Sequence, residues 1–370
     1  MKKYLYIYEK LRDAIVRGEY PYGVRLPSKR TLAADFGCSV ITVEHAYDLL
    51  ADEGYVRSEE RSGFYAAYRT DEMFPVAARL QKADDQAPQA ETVRGAVPLS
   101  GVNTADPVFP YGVLARTMRR VITAREEQLL IKPPNTGCPE LRESLAAYLG
   151  RSRSLRISPE QIVIGSGAEY LYALVAEMLG TERLYALEDP SYGKIRRVYE
   201  ANGACCELLP MGPDGILAEA LERSEASVLH VTPFHSYPSG ITASASRRRD
   251  YVRWAIRRDG FVVEDDFDSE FSSLTKPEDT LFSLEPEKTV IYMNTFSRTI
   301  APSMRLGYMV LPPALLPRFR ETVGFYSCTV PVFEQYLVTE LLNSGDFERH
   351  INRVRRKRRL RNEQAFSAIS

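Results

Sequence analysis

The chain has 370 residues, 44% hydrophobic and 26% charged, which is the composition of a soluble globular protein long enough for two domains. No run approaches eighteen apolar residues, and the N-terminus enters a charged helical pattern without a signal-peptide core, so we expect a cytoplasmic protein with no membrane segment. The formal net charge of −1 argues against nonspecific adhesion of the whole molecule to nucleic acid.

Two helices are predicted at the start of the chain. Ile7, Leu11 and Ile15 recur at helical spacing, which indicates an amphipathic first helix. A second helix of about ten residues is predicted between Ser28, a favourable N-cap, and Gly37, a favourable stop.

A third helix is predicted to begin after Ser39 and to end near Gly54. Its apolar residues recur at i, i+3, i+4 and i+7, at Val43, Ala46, Tyr47 and Leu50. Two short helices joined by a tight turn form a helix-turn-helix. Residues 55–57 and 63–68 then alternate like a two-stranded wing.

This segment resembles the GntR family of winged helix-turn-helix regulators. The resemblance rests on Leu26-Pro27-Ser28, Thr42-Val43-x-x-Ala46-Tyr47 and Glu53-Gly54-Tyr55. It implies that the third helix enters the major groove of double-stranded DNA, with the wing near the backbone. The candidate DNA contacts that it implies are Lys29, Arg30, Ser39, Thr42, His45 and Arg61. Val40 departs from the family, which usually has a basic residue there, and valine cannot read guanine.

An alternative interpretation of this segment is a module for protein contact. Residues 1–68 contain ten Lys or Arg and ten Asp or Glu, so the segment is neutral and a DNA-binding face depends on clustering. In that alternative, Lys29, Arg30 and Arg61 are solvated surface charges.

The chain is predicted to contain a winged helix-turn-helix domain at 1–68, a linker at 69–98 and a second domain at 99–370. The linker lacks periodicity and is polar and poor in apolar residues, above all at 81–91. Beyond it, short apolar runs alternate with helical stretches, at 162–164, 184–187, 228–231, 261–263 and 290–293. This pattern predicts an α/β fold with a mostly parallel sheet covered on both faces.

Polar motifs follow these strands, where parallel sheets usually carry their sites. Gly165-Ser166-Gly167 opens a helix whose first amides could face an anion, although such a turn is often only a tight corner. Tyr192 follows Glu188-Asp189-Pro190 and could stack on a planar cofactor or be an ordinary aromatic. Glu264-Asp265-Asp266 ends a buried strand in carboxylates, which need a positive partner, a metal or solvent. The absence of a nearby histidine disfavours a metal, so no metal site is predicted.

Taken in order, these motifs resemble the fold-type I aminotransferase domain of MocR/GabR-type regulators, which fuse a GntR reader to such a domain. The matching segments lie at 135–142, 165–167, 188–190, 232–240, 264–266 and 297–308. The resemblance implies pyridoxal 5'-phosphate as cofactor and a homodimer with its sites at the subunit interface. It assigns Asp265 to the pyridine nitrogen and Tyr192 to the face of the ring. It assigns the phosphate to Ala168, Glu169, Thr295, Ser297 and Arg305.

Two residues depart from the family where the reactive part of the cofactor would lie. Arg298 stands in place of the lysine that forms the imine, and Phe267 in place of a tyrosine that bonds the phenolic oxygen. A guanidinium keeps its proton and delocalises the lone pair that an imine needs, so no catalytic residue is predicted. We therefore expect a non-catalytic transcription regulator that binds pyridoxal phosphate, a vitamer or its adduct with an amino acid as a noncovalent effector.

Two alternatives remain open for this second domain. One is a working pyridoxal-dependent enzyme. The other is a cofactor-free DNA-binding scaffold, in which Arg298 fills the pocket and pairs with Asp265.

The C-terminal segment is strongly basic. Residues 349–361 hold eight Lys or Arg and no acid, a composition that could indicate nucleic-acid contact or a localisation signal. In related proteins an Arg-rich helix here leads into a smaller subdomain that supplies a carboxylate-binding arginine. Because the sequence stops at Ser370, that subdomain is expected to be incomplete, either in a fragment or in a protein without a full substrate pocket.

Overall fold

The computed structural model describes residues 3–59, 62–68, 109–272 and 279–369, with side chains as far as residue 361. The chain divides into two compact units, residues 1–97 and 98–370, and each is described by itself. The predicted linker at 69–98 and the candidate DNA contact Arg61 lie outside the described residues.

The first unit is a winged helix-turn-helix. Its elements are α1 (Lys3–Val16), α2 (Lys29–Asp35), α3 (Val40–Asp52), β1 (Val56–Glu59) and β2 (Gly63–Ala66). The strands pair antiparallel as the predicted wing. Ser28 and Ser39 accept hydrogen bonds from the amides of Thr31 and Thr42, which confirms both predicted caps. α2 has seven residues rather than about ten, because the N-cap lies outside it and Gly37 turns the chain at φ +56°.

The second unit alternates strands and helices. Its helices are α4 (Tyr111–Arg125), α5 (Pro139–Arg153), α6 (Ala168–Leu179), α7 (Gly193–Ala201), α8 (Ala218–Arg223), α9 (Ala245–Arg257), α10 (Leu281–Leu284), α11 (Leu316–Thr322), α12 (Val332–Asn343) and α13 (Asp346–Ile369). Its strands are β3 (Ile162–Gly165), β4 (Leu184–Asp189), β5 (Cys205–Gly212), β6 (Gly215–Ile216), β7 (Val228–Val231), β8 (Phe261–Asp265), β9 (Val290–Thr295) and β10 (Gly307–Val310).

The described strands of this unit form one sheet in the order β3-β10-β9-β8-β7-β4-β5-β6. Strands β5, β4, β7, β8 and β9 run parallel, while β10 is antiparallel to both of its neighbours. The α/β class and the five predicted strands are confirmed. Strands β5, β6 and β10 were not predicted.

The strands other than β5 are mostly buried on both faces, as their continuous apolar runs predict. Alternate residues of each strand join different apolar clusters, so that Ile162 and Ile164 pack on one face while Val163 packs on the other. Helices therefore cover the strands, and the carboxyl ends of the parallel strands are where polar side chains can reach an open space.

The described residues were compared with the requirements of a membrane span, a metal site and a disulfide. None of the described helices is both long and apolar enough to cross a membrane. The described residues also contain no group of three or more His, Cys, Asp or Glu side chains that could hold a metal ion. The five cysteines are free thiols.

Candidate functional site

A cavity of about 750 Å³ lies at the carboxyl ends of the parallel strands. Strand β8 contributes Asp265, β9 contributes Thr295, and α6 begins at the cavity with Ala168. The residues predicted for the cofactor all line this one cavity: Ala168, Glu169, Tyr192, Asp265, Thr295, Ser297 and Arg305. Phe267 and Arg298, the two departures from the family pattern, line it as well.

Asp265 is a buried carboxylate with one oxygen engaged and one oxygen available. The Tyr172 hydroxyl donates a hydrogen bond to Oδ2, and His230 Nε2 lies 3.8 Å from the same atom. The second oxygen, Oδ1, is buried and has no hydrogen-bond partner among the described residues. A buried carboxylate oxygen without a donor is costly, so this atom suits a ligand that brings an N–H group.

The tyrosines and the histidine behind Asp265 form a connected network. Tyr199 Oη lies 2.8 Å from His230 Nδ1, and both residues are buried. Burial raises the pKa of Tyr172, and the neighbouring Asp265 raises it further, so Tyr172 stays a neutral donor. The network holds the carboxylate in one orientation at the cavity wall.

Arg298 is paired inside the cavity. Its Nε donates to Oδ1 of Asp268, and Arg358 Nη2 of α13 lies 4.0 Å from the same oxygen. The alternative in which Arg298 pairs with Asp265 is therefore wrong in its partner. Asp268 lies three residues beyond the end of β8, where its carboxylate contacts Arg298. Asp265, the last residue of β8, contacts Tyr172 instead.

No lysine is found among the described residues that line the cavity. Lys194 Nζ lies 2.5 Å from Glu169 Oε1, and Lys288 Nζ lies 2.9 Å from Asp259 Oδ1. Lys276 lies outside the described residues. Arg298 thus supplies the cationic side chain at the position where the family has its imine lysine.

The predicted phosphate residues surround the start of α6. Arg305 Nη2 lies 3.4 Å from Glu169 Oε2, and the Ser297 hydroxyl donates to the Met304 carbonyl over 3.0 Å. Gly167 has φ +96°, and a Cβ there would lie 2.9 Å from Arg305 Nη2. Only glycine allows the guanidinium to lie against this turn, beside the first amides of the helix.

Sequence reasoning missed several residues of the cavity wall: Tyr172, Ile195, Thr232, His235, Tyr237, Asp268 and Pro302. Tyr172 follows Ala168 by one helical turn, so the helical period could have placed it on the same face. His235 lies in the 232–240 motif and has φ +53°, which is unusual outside glycine. The sequence did not predict the contact of Asp268 with Arg298, because the two residues are 30 positions apart and only the fold brings them together.

Glu188 supports the loop that carries His235 and Tyr237. The Ser236 hydroxyl and the Thr232 amide donate to its Oε2 over 2.7 and 3.2 Å. Burial raises the pKa of Glu188 to about 8, and the neighbouring Asp265 adds to the shift. The carboxyl group is thus held mainly neutral below that pH, beside the cavity rather than in its wall.

The five described candidate DNA contacts lie on α2, α3 and the turn between them. Arg30, Ser39 and His45 are exposed. Lys29 instead forms an ion pair with Glu44, and its Nζ lies 5.5 Å from the centre of the Phe64 ring. The Ser39 hydroxyl also lies 2.8 Å from the Thr42 hydroxyl. The side chains at the start of α3 therefore form one surface, whose contact with DNA remains a prediction.

Comparison with known proteins gives two matches along the chain. Residues 3–66 match the family of bacterial regulatory proteins of the gntR type, and residues 106–368 match the aminotransferase class I and II family. The chain belongs to the MocR/GabR-type regulators. These are helix-turn-helix transcriptional regulators whose second domain has the aminotransferase fold.

Three relatives resemble the chain over most of its length. The uncharacterized HTH-type transcriptional regulator YdeL of Bacillus subtilis is 31% identical, over 99% of this chain and 79% of its own. The probable rhizopine catabolism regulatory protein MocR of Rhizobium meliloti is 30% identical, over 95% and 73%. The pyridoxine biosynthesis regulator PdxR of Corynebacterium glutamicum is 31% identical, over 94% and 74%.

Solved aminotransferases share the fold of the second domain. The kynurenine aminotransferase of Pyrococcus horikoshii is 26% identical with a TM-score of 0.63, over 71% of this chain and 68% of that one. The α-aminoadipate aminotransferase LysN of Thermus thermophilus is 27% identical with a TM-score of 0.59, over 67% and 64%.

Proposed function

We propose that this DNA-binding transcriptional regulator uses its aminotransferase-like domain to bind pyridoxal phosphate, a vitamer or an amino-acid adduct of the cofactor without a covalent bond. The domain would also form a homodimer, and the bound molecule would act as effector rather than as coenzyme. A regulator of bacterial DNA would act in the cytoplasm.

The observation that carries the proposal is the unpartnered Oδ1 atom of Asp265. It is buried in the wall of a cavity where Arg298 replaces the imine lysine. Asp265 could accept the hydrogen bond of a protonated pyridine nitrogen, and the surrounding network of Tyr172 and His230 is arranged to hold it there. Binding is therefore supported where covalent attachment is not.

The other cavity residues would hold the rest of the ligand. Arg305 and the first amides of α6 would bind the phosphate, together with Thr295 and Ser297, and Tyr192 would lie against the ring. When bound in an aminotransferase, the cofactor supplies an aldehyde and an electron sink for amino-acid chemistry. Arg298 keeps its proton and can act neither as the nucleophile nor as the base of that chemistry.

A titration of the purified protein with pyridoxal phosphate tests this proposal. We expect saturable binding in the absorbance spectrum, with no adduct on any lysine after borohydride reduction and mass spectrometry. The matched variant Arg298→Lys should gain a borohydride-stable adduct at residue 298. An adduct on a lysine of the wild-type protein contradicts noncovalent binding, and the absence of any spectral or thermal shift favours a cofactor-free scaffold.

Catalysis is tested on the same protein. Wild-type protein incubated with pyridoxal phosphate, an amino acid and a keto acid should show no transamination above the rate of the free cofactor. Turnover that scales with protein concentration would instead establish a working enzyme.

The DNA-binding half of the proposal is tested on the first unit. Neutralising Lys29 and Arg30 together should weaken binding to the chain's own upstream DNA about tenfold and flatten the salt dependence by roughly 1 to 2 units of slope. The double variant Arg12→Gln with Arg17→Gln, on α1 and just after it, is the matched control. An unchanged gel shift would remove the DNA role of Lys29 and Arg30.

Effector action requires a difference in ligand affinity between DNA-competent and DNA-incompetent states. Sedimentation with and without pyridoxal phosphate should show a dimer in both conditions. DNA affinity should change with the ligand by the same factor as ligand affinity changes with DNA. A monomer under all conditions would contradict the dimer.

A further inference from the structure

The exposed face of α13 carries cations that the cofactor cavity does not use. We propose that Arg353, Arg356 and Lys357, here called the basic stripe, form a second DNA-contacting surface that binds phosphates other than those contacted by the winged helix. This inference rests on the proposed function, because a regulator that binds no DNA has no use for such a surface.

The spacing of the basic stripe places its three side chains together. They stand at i, i+3 and i+4 on a helix, which puts them on one face within about one turn. All three are exposed, and within the described residues none has an acidic partner. Three positive charges are thus presented to solvent on a single surface.

The rest of α13 anchors this surface to the domain. Ile351 and Val354 are buried in the main apolar cluster. Arg355 Nε donates to the Glu270 carbonyl over 2.5 Å, and Arg358 Nη1 donates to the Phe271 carbonyl over 3.2 Å. Residues of the basic run at 349–361 therefore have different roles. Arg355 and Arg358 bind the helix to the rest of the domain, whereas the basic stripe is exposed to solvent.

Several exposed cations on other helices of the domain have an acidic partner on the same helix, which the three residues of the stripe lack among the described residues. On α7 and α8, Arg196 pairs with Glu200 and Arg223 with Glu219, each at i, i+4. On α9, Arg253 lies 3.7 Å from Asp250. An ordinary solvated face is built in this way, whereas like charges at i+3 and i+4 destabilise a helix. A surface that keeps unpaired like charges suits a polyanionic partner.

Charge complementarity favours DNA as that partner. Double-stranded DNA carries about one negative charge per 1.7 Å of its axis, so one helical turn of cations can meet several phosphates. Arginine and lysine bind backbone phosphates of any sequence, and such contacts position a protein on DNA without carrying sequence information. The stripe would add affinity without adding sequence preference.

Duplex length separates the two surfaces experimentally. The full chain is titrated with random-sequence duplexes of about 18 and 54 base pairs over a range of salt, because phosphate contacts set the slope of log K against log salt. We expect the wild-type slope to be steeper on the long duplex by roughly 2 to 3 units, since each contact contributes about 0.9. The variant R353Q/R356Q/K357Q should lose that difference and keep its short-duplex slope.

The variant R196Q/R223Q/R253Q is the matched control, because it removes the same charge from exposed, paired positions. It should retain the length-dependent slope. Circular dichroism checks that both variants stay folded, which exposed glutamines favour.

Each alternative result has a definite meaning. Equal wild-type slopes on both duplexes overturn the stripe alone, and so do equal losses in the stripe variant and the control. Salt-dependent self-association that only the stripe variant loses, with unchanged DNA slopes, makes the surface a protein contact and overturns the proposal. If the wild-type protein binds neither random-sequence duplex, the stripe proposal is overturned, while the proposed function is decided separately by the gel shift on the chain's own upstream DNA.

Discussion

Two sets of residues line the same cavity: those that match the family pattern and the two that depart from it, Phe267 and Arg298. The charged groups of the two sets differ in whether they have a partner within the protein. Asp265, in the set that matches the family pattern, keeps one buried oxygen without a partner among the described residues. Arg298, in the set that departs from it, is already paired with Asp268, close to Arg358. Asp265 can still accept a ligand group, whereas Arg298 already has a carboxylate partner within the protein. Binding and chemistry can thus be separated within one fold.

Replacing Asp265 tests the matching set most severely. Asp265→Asn keeps the shape and the Tyr172 contact but removes the charge that a protonated pyridine nitrogen needs. We expect pyridoxal phosphate to bind about 10- to 100-fold more weakly in a fluorescence titration, the range for a buried charge-assisted hydrogen bond. Asp259→Asn removes an exposed carboxylate and should leave binding unchanged. Equal affinity in the Asp265 variant would mean that the carboxylate does not face the ligand.

Glu188 tests whether the cavity surroundings depend on a neutral buried acid. Burial raises its pKa from 4.5 to about 8, so its contribution to stability is complete below pH 4.5 and is lost as the pH rises through 8. Glu188→Gln mimics the neutral form and should reduce the loss of unfolding free energy between pH 5 and 8 by roughly 1 to 3 kcal/mol in urea titrations. Glu219→Gln, at an exposed site, is the control. If the unfolding free energies of the variant and the wild type depended on pH in the same way, Glu188 would be ionised in the folded protein across this whole pH range.

The common location of the matching set in one cavity could be predicted from the sequence, because several of its residues stand at fixed places relative to strand ends. Asp265 ends β8 and Thr295 ends β9, and an apolar run followed by a polar motif marks such positions without knowledge of packing. The hydrogen-bond partners of these side chains, which are distant in sequence, could not be predicted in this way. Tyr172 meets Asp265 across 93 positions and Asp268 meets Arg298 across 30, and both pairs depend on how helices and loops pack. The sequence therefore singled out Arg298, but the alternative that paired it with Asp265 named the wrong carboxylate.

Restoring a hydroxyl at position 267 tests the departing set. Phe267 lines the cavity, and Phe267→Tyr supplies the donor that the family directs at the phenolic oxygen of the cofactor. A neutral hydrogen bond of ordinary strength should tighten pyridoxal phosphate binding about 3- to 10-fold and shift the absorbance of the bound ligand. Phe267→Leu changes the ring without adding a donor and should show no gain. If both variants bind alike, position 267 does not face the phenolic oxygen.

The smallest expected effect concerns the ion pair within the matching set. Glu169 Oε2 lies 3.4 Å from Arg305 Nη2, so this carboxylate competes with a ligand phosphate for the guanidinium. Both side chains are substantially exposed, and exposed pairs are weak, so Glu169→Gln should tighten pyridoxal phosphate binding only about 2- to 4-fold. The gain should shrink in high salt, where exposed charges are screened. Pyridoxal, which lacks the phosphate, is the control ligand and should bind both proteins equally. An equal gain for pyridoxal would show that Glu169 acts on the ring rather than through Arg305, and would move the phosphate site away from the start of α6.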